Sequence, residues 1–176
     1  MIGARLAAAA MTFLAVAGSA AAFEISSPSV SDGKWEKKYI GNKIVGCDGQ
    51  NIAPPLTWND VPEGTKSLAL TLYDPDALTG SGLWHWQVWN IPPSVTRFEE
   101  GKVPRGAIEG TADLNRRGYI GPCPRPGSGV HHYTFTLYAI KTPKLTIPRS
   151  STPAMVGYNL NTNAIAKATV TYAYQR

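Results

Sequence analysis

SLALTLYD, residues 67–74, places a leucine at every second position, Leu68, Leu70 and Leu72, and then closes the row with a carboxylate, Asp74. Successive side chains of an extended strand face opposite ways, so the three leucines line one face and the alternation carries Asp74 onto the same side. HHYTFTLYAI, residues 131–140, divides in the same manner: His131, Tyr133, Phe135 and Leu137 on one side, His132, Thr134 and Thr136 on the other. In LWHWQVWNI, residues 83–91, alternation sets Trp84, Trp86 and Val88 against His85, Gln87 and Trp89. Strands are therefore expected at Ser67–Tyr73, Trp84–Ile91 and Tyr133–Ile140, with others at Ile40–Val45 and Thr169–Tyr174.

Regular helical periodicity is almost absent between residues 23 and 150, where all but one of the 14 prolines cut the chain into short β-branched and aromatic segments. This punctuation predicts an all-β domain with minor α content, built from two packed antiparallel sheets as a β-sandwich or flattened barrel. The exception is Thr152–Lys167, where a short C-terminal helix is expected after Pro153, against the resistance of Gly157 and the run NLNTN. No internal repeat or linker divides the chain. The first 22 residues combine an N-terminal positive charge, a short apolar stretch and Ala20-Ala21-Ala22, the pattern of a secretory signal peptide. Its removal leaves residues 23–176 as one domain, exported to the periplasm or secreted. The apolar stretch is shorter than the roughly 20 residues that a membrane-spanning helix needs. The formal charge of +5 is scattered over the chain and forms no basic stripe, which argues against a nucleic-acid partner.

The unusual residues fall at strand ends. Antiparallel neighbours bring the end of one strand beside the start of the next, so Asp74, His85 and His131 are expected to gather at the mouth of the core with Tyr133. Pro75 holds Asp74 and Asp76 in a defined arrangement, and the segment Gly121–Gly127, with Pro122 and Pro124, reads as a stiff wall. Imidazole and phenol groups donate hydrogen bonds, so a small anion is the ligand that fits, with Asp74 orienting a histidine or receiving an ammonium end. A catalytic Asp74–His85 pair lacks an accompanying Gly-x-Ser-x-Gly elbow, and the histidines and aspartates lack the spacing of a zinc motif. Neither a metal nor a cofactor is therefore expected. Cys47 and Cys123, 76 residues apart, read either as one disulfide or as two separate buried thiols, and both readings stay open.

CDGQNIAPPLTWNDVPEGTKSLAL at 47–70, DPDA at 74–77, HWQVWNIP at 85–92 and GYIGPCPRPGSGVHHYTFTLYAI at 118–140 resemble the phosphatidylethanolamine-binding protein family, specifically its bacterial Raf-kinase-inhibitor-like members. The resemblance spans nearly the whole mature chain. It implies a two-sheet β-sandwich with a small cavity at one end for phosphate, acetate-like anions or phospholipid head groups. By motif, Asp74, His85, His131 and Tyr133 fall on the family's ligand-site positions, with Asp76, Pro122 and Pro124 in the surrounding wall. The resemblance also implies a protein partner, either a protease or a signalling protein, and a homodimer. Three positions depart from the family pattern: Leu78 where proline is usual, His132 where arginine is common, and Leu83 in place of an aromatic. The expected function is that of an exported, non-catalytic binding protein, with His85, His131 and Tyr133 as donors, Asp74 as orienter, and Trp84 and Trp86 behind them. Protease inhibition through the pocket loops and acid–base enzyme chemistry are the competing classes.

Overall fold

The computed structural model describes residues 22–176, so the expected leader peptide lies, apart from Ala22, outside the described residues. In chain order the strands are β1 (Glu24–Ser26), β2 (Val30–Ser31), β3 (Lys34–Trp35), β4 (Leu56–Asn59), β5 (Ser67–Asp74), β6 (Leu83–Ile91), β7 (Arg97–Phe98), β8 (Ile108–Glu109), β9 (Thr111–Ala112), β10 (Arg116–Arg117) and β11 (His131–Ile140). Helix α1 (Pro153–Asn163) and strand β12 (Ala164–Tyr174) complete the chain.

The leucine row does what its period demands. β5 is the middle strand of a five-stranded sheet ordered β12-β11-β5-β6-β8, and it runs antiparallel to both neighbours. Leu72 is paired with Phe135 and Trp86, and Leu70 with Leu137 and Val88, so one face of the sheet is a continuous apolar plate. A three-stranded sheet, β1-β4-β7, covers this plate with Ile25, Leu56, Trp58 and Phe98. The rings of Trp86 and Phe98 meet edge to face with centroids 5.6 Å apart. The expected two-sheet sandwich is present.

The back of the five-stranded sheet is covered as well. Ala69, Trp89, Tyr138 and Ile140 bury themselves under Val156 and Leu160 of α1 and under Leu145 and Ile147 of the preceding loop. Polar side chains buried under this cover reach its backbone carbonyls. The Ser67 hydroxyl donates to the Thr142 carbonyl at 2.7 Å, and the Gln87 amide donates to the Pro153 carbonyl at 3.1 Å.

Two expected elements differ. Residues 43–45 of the expected strand Ile40–Val45 form a 3-10 turn, because Asn42 accepts the Ile44 N–H on its side chain at 3.1 Å and Gly46 closes the turn at φ 88°. The helix ends at Asn163, not at Lys167. Residues 164–167 pair with the end of β11, and the β-branched and aromatic run that follows continues the ladder to Tyr174. Cys47 and Cys123 are joined as a disulfide, with their Cα atoms 5.9 Å apart, which tethers the 42–47 turn to the Gly121–Gly127 segment.

Candidate ligand-binding site

β5 ends at Asp74 where β6 and β11 begin, so the topology brings the aspartate beside Leu83 and the start of β11. His85 reaches the same place by a different route from simple alternation. Trp86 is paired with Leu72 and Trp84 with Tyr73, which leaves His85 without a partner on β5. A residue inserted in this way is a β-bulge, and it re-aims the side chains on either side of it. The expected grouping of Trp84 with Trp86 is thereby corrected. Trp86 faces the core and donates from its indole to Glu109 at 2.8 Å, whereas Trp84 lies on the back face, against Tyr73 and 3.7 Å from where a Cβ on Gly157 would sit. Neither tryptophan lines the site. The bulge turns His85 to the core side, and a second shift at Asn90, whose φ is 57°, restores Ile91 to the core.

The result is a hollow of about 200 Å³ at one end of the sandwich, lined by Asp74, His85, His131, Tyr133 and Pro124 among the expected residues. Asp74 is 2% exposed; its Oδ1 accepts the Asp76 N–H at 2.9 Å, and its Oδ2 accepts from His131 Nδ1 at 2.7 Å. Tyr133 lies between the two imidazoles, edge-on to His85 at 5.2 Å and nearly parallel to His131 at 6.4 Å. Burial, reinforced by the Asp74 charge, holds the Tyr133 hydroxyl in its protonated form by raising its pKa above the usual phenol value.

His85 is held by a reciprocal pair of bonds with Ile120: the Ile120 N–H donates to the His85 carbonyl at 2.9 Å, and the ring Nδ1–H donates to the Ile120 carbonyl at 2.8 Å. Gly121 follows, crossing the chain at Tyr39 so closely that a Cβ would stand 2.2 Å from the Tyr39 carbonyl oxygen. Only glycine passes there. His85 Nε2 has no hydrogen-bond partner although the residue is 3% exposed. Burial lowers the pKa of this ring from the usual histidine value, so it rests neutral at pH 7. A neutral ring that donates through Nδ1 offers a lone pair at Nε2. The expected donor role of His85 therefore requires uptake of a proton.

Two expected wall residues lie elsewhere. Asp76 turns outward and accepts both the backbone N–H and the ring Nδ1–H of His132, each at 2.8 Å. The hydrogen bond from His132 is the main cause that lowers the Asp76 pKa. Pro122 does not line the hollow; its carbonyl accepts the Gly41 N–H at 3.0 Å and so anchors the wall from behind. Sequence reasoning missed Arg125 and Ser128, which line the hollow, and the two apolar departures Leu78 and Leu83 line it too. Arg125 is the only lysine or arginine among the described residues that line the hollow. A larger hollow of about 410 Å³ lies between Asn51, Trp86, Glu109 and Tyr119, and part of its polar lining is already engaged. Glu109 accepts from Trp86, and Asn51 bridges the Tyr119 carbonyl and the Gly121 N–H.

The model of the family described as phosphatidylethanolamine-binding protein matches residues 30–175. The UPF0098 protein YbcL of Escherichia coli is 44% identical over 172 residues, which is 94% of each chain. The crystal structure of YbcL, described as a new member of the mammalian PEBP family, aligns with a TM-score of 0.84 at 43% identity, covering 89% of this chain and 99% of that one. A phosphatidylethanolamine-binding protein homologue from Chlamydia trachomatis aligns with a TM-score of 0.75 at 32% identity, covering 88% of this chain and 98% of its own. LppC of Mycobacterium tuberculosis, named as a lipoprotein, is 40% identical over 128 residues, covering 73% of this chain and 60% of that protein. Family model, structural superposition and sequence identity thus agree over nearly the whole described chain, and the chain belongs to the phosphatidylethanolamine-binding protein family.

Proposed function

We propose that the chain is an exported binding protein whose end-of-sandwich pocket takes one small phosphate-type anion, either free or as the head group of a phospholipid. The observation that carries this reading is the orphaned Nε2 of His85, a buried polar atom on a pocket-lining ring. Leaving such an atom unpaired costs about 1–3 kcal/mol, a cost that a bound partner removes. The remaining groups suit an anion that carries a proton. Tyr133 donates, Arg125 brings positive charge, and His85 either takes the anion's proton or accepts a hydrogen bond from it. Asp74 is occupied with His131 and the Asp76 N–H, so its role is to orient. The reading asks only for binding and gives His85 no chemistry to perform.

Export is supported by the leader-like sequence of residues 1–22 and by a relative named as a lipoprotein. Among the described residues no helix is long and apolar enough to cross a membrane. One observation favours a protein partner at the same loops: Leu78, which lines the pocket, is 75% exposed. An apolar side chain at the rim gives a protease or signalling protein a contact beside the bound head group. Calorimetry with inorganic phosphate and with glycerophosphoethanolamine tests the ligand class. Saturable binding of one equivalent is expected from at least one of them, tighter from the second if the head group is the true ligand. Absence of heat from both at millimolar concentration would remove the proposal.

A further inference from the structure

Binding leaves Ser128 without a role, yet it stands in a specific relation to two buried polar groups of the pocket, Asp74 and His131. Asp74 Oδ2 accepts from His131 Nδ1 at 2.7 Å, and His131 Nε2 lies 2.9 Å from Ser128 Oγ. Carboxylate, imidazole and hydroxyl stand in series, and all three line the hollow. A carboxylate only accepts, so the proton between Asp74 and His131 resides on Nδ1. In the neutral ring Nε2 then carries a lone pair, an acceptor within reach of the Ser128 hydroxyl. This is the order in which a general base activates a serine. The Arg125 carbonyl lies 2.8 Å from the same Oγ and offers the hydroxyl proton a second acceptor, so the oxygen is held in place while its proton has a resting and an activated orientation.

We propose that Ser128 is an acylatable nucleophile, with His131 as its general base and Asp74 as the positioning residue, acting on small carboxylic esters. Ser128 Oγ bonds to the ester carbonyl carbon while its proton passes to His131 Nε2, and the carbonyl π pair moves onto oxygen. The tetrahedral intermediate collapses, the bond to the alcohol oxygen breaks, and the alcohol leaves with the proton from His131. Water then loses a proton to the same Nε2, attacks the acyl carbon, and returns Ser128 to its hydroxyl form as the carboxylic acid departs. Arg125 and Tyr133 line the same hollow and are the donors assigned to the oxyanion. A hollow of about 200 Å³ is small beside the ~300–1,000 Å³ of pockets for drug-sized ligands, and it restricts the acyl group to a short chain. Ser128 sits in a turn closed by its N–H to the Arg125 carbonyl at 3.0 Å, not on a strand-to-helix elbow. This activity goes beyond the anion reading, shares its pocket, and does not depend on it.

The mature protein is incubated with p-nitrophenyl acetate, nitrophenolate release is followed, and the product is analysed by intact mass and peptide mapping. The expected result is continued release of nitrophenolate beyond one equivalent, with samples quenched in acid during turnover carrying the acetyl group on Ser128. Ser128→Ala should react roughly 100-fold more slowly or less, while its circular dichroism matches the parent. In Asp74→Asn kcat should fall while KM stays near the parent value, because the ring loses the acceptor that keeps its proton on Nδ1. Should that buried substitution prevent folding, the acetyl site in the parent and Ser128→Ala still decide. Acetyl on lysine or on no residue in the samples quenched during turnover, or a Ser128→Ala variant reacting at the parent rate, would overturn the inference. A parallel titration with inorganic phosphate separates the two claims. Phosphate binding without acylation removes only the nucleophile, and acylation without phosphate binding removes only the anion site.

Discussion

Replacing His85 with asparagine separates the two tasks that its ring nitrogens perform. The asparagine amide nitrogen takes the place of Nδ1 and keeps donating to the Ile120 carbonyl, now at 2.8 Å, while Nε2 disappears. For stability the two consequences oppose each other. Removing a buried unpaired polar atom returns about 1–3 kcal/mol, whereas loss of the ring's edge-to-face contact with Tyr133 costs ~0.5–1.5 kcal/mol together with some buried area. His85→Asn should therefore unfold in urea within about 1 kcal/mol of the parent. Anion binding, in contrast, loses a charge-assisted hydrogen bond of ~1.5–3 kcal/mol, or about 10- to 150-fold in affinity for inorganic phosphate. His85→Gln is the mirror experiment. Its amide reaches the Nε2 position but abandons the Ile120 carbonyl, so stability should fall by ~1–3 kcal/mol. Calorimetry and urea unfolding on the same samples give both numbers. An asparagine variant that binds phosphate as well as the parent, or that loses more than ~3 kcal/mol of stability, would refute the division of labour.

Burial places the His85 pKa in the folded protein below the 6.5 of the free side chain. The unfolded chain therefore takes up this proton first as pH falls. The contribution of His85 to stability is complete above pH 6.5 and is lost below it; urea unfolding at pH 7.5 and 5.5 should show a steeper loss in the parent than in His85→Asn. A bound anion favours the protonated ring, so affinity for sulfate, which itself does not titrate in this range, should rise by up to ~10-fold per pH unit below neutrality, and a flat profile would exclude proton uptake. The disulfide closes a loop with a sequence separation of 76, and loop entropy sets the cost of replacing both cysteines by serine at ~4.5 kcal/mol, measurable as a lower urea midpoint. Leu137→Ala, at a fully buried position between the sheets, should cost ~2–5 kcal/mol without altering the phosphate titration.

The long strands were legible because their periods are strong and their partners are other long strands. Alternation in 67–74 and 131–140 gave the correct inward faces, and antiparallel order alone brought Asp74 to the start of β11. The same rule failed for His85. A bulge shifts the parity of everything before it, and nothing in LWHW marks where the extra residue falls. The buried back face was also hidden, since alternation alone does not tell that Ala69 and Trp89 lie under α1 and the 145–147 segment. At 164–167 the local helical tendency yielded to pairing with β11, a tertiary effect outside the window of any local pattern. Short strands such as β1 and β7 carry too few residues to show a period. For the site, titratable residues stood out in an apolar setting, whereas Ser128 did not, because serine in a Gly-Ser-Gly turn is ordinary. Its three-residue spacing from His131 becomes meaningful only once the turn folds Oγ back over the ring.

Long-range nitrogen–proton NMR of the imidazole rings, recorded during a titration with inorganic phosphate at pH 7, tests the pocket most directly. Without ligand, His85 should show a protonated Nδ1 and a bare Nε2. With one equivalent bound, the Nε2 signal should move toward that of a protonated or hydrogen-bonded nitrogen, and His131 should shift with it while the outward His132 changes little. A His85 ring that ignores phosphate, or a response confined to His132, would contradict the assignment of this hollow as the anion site.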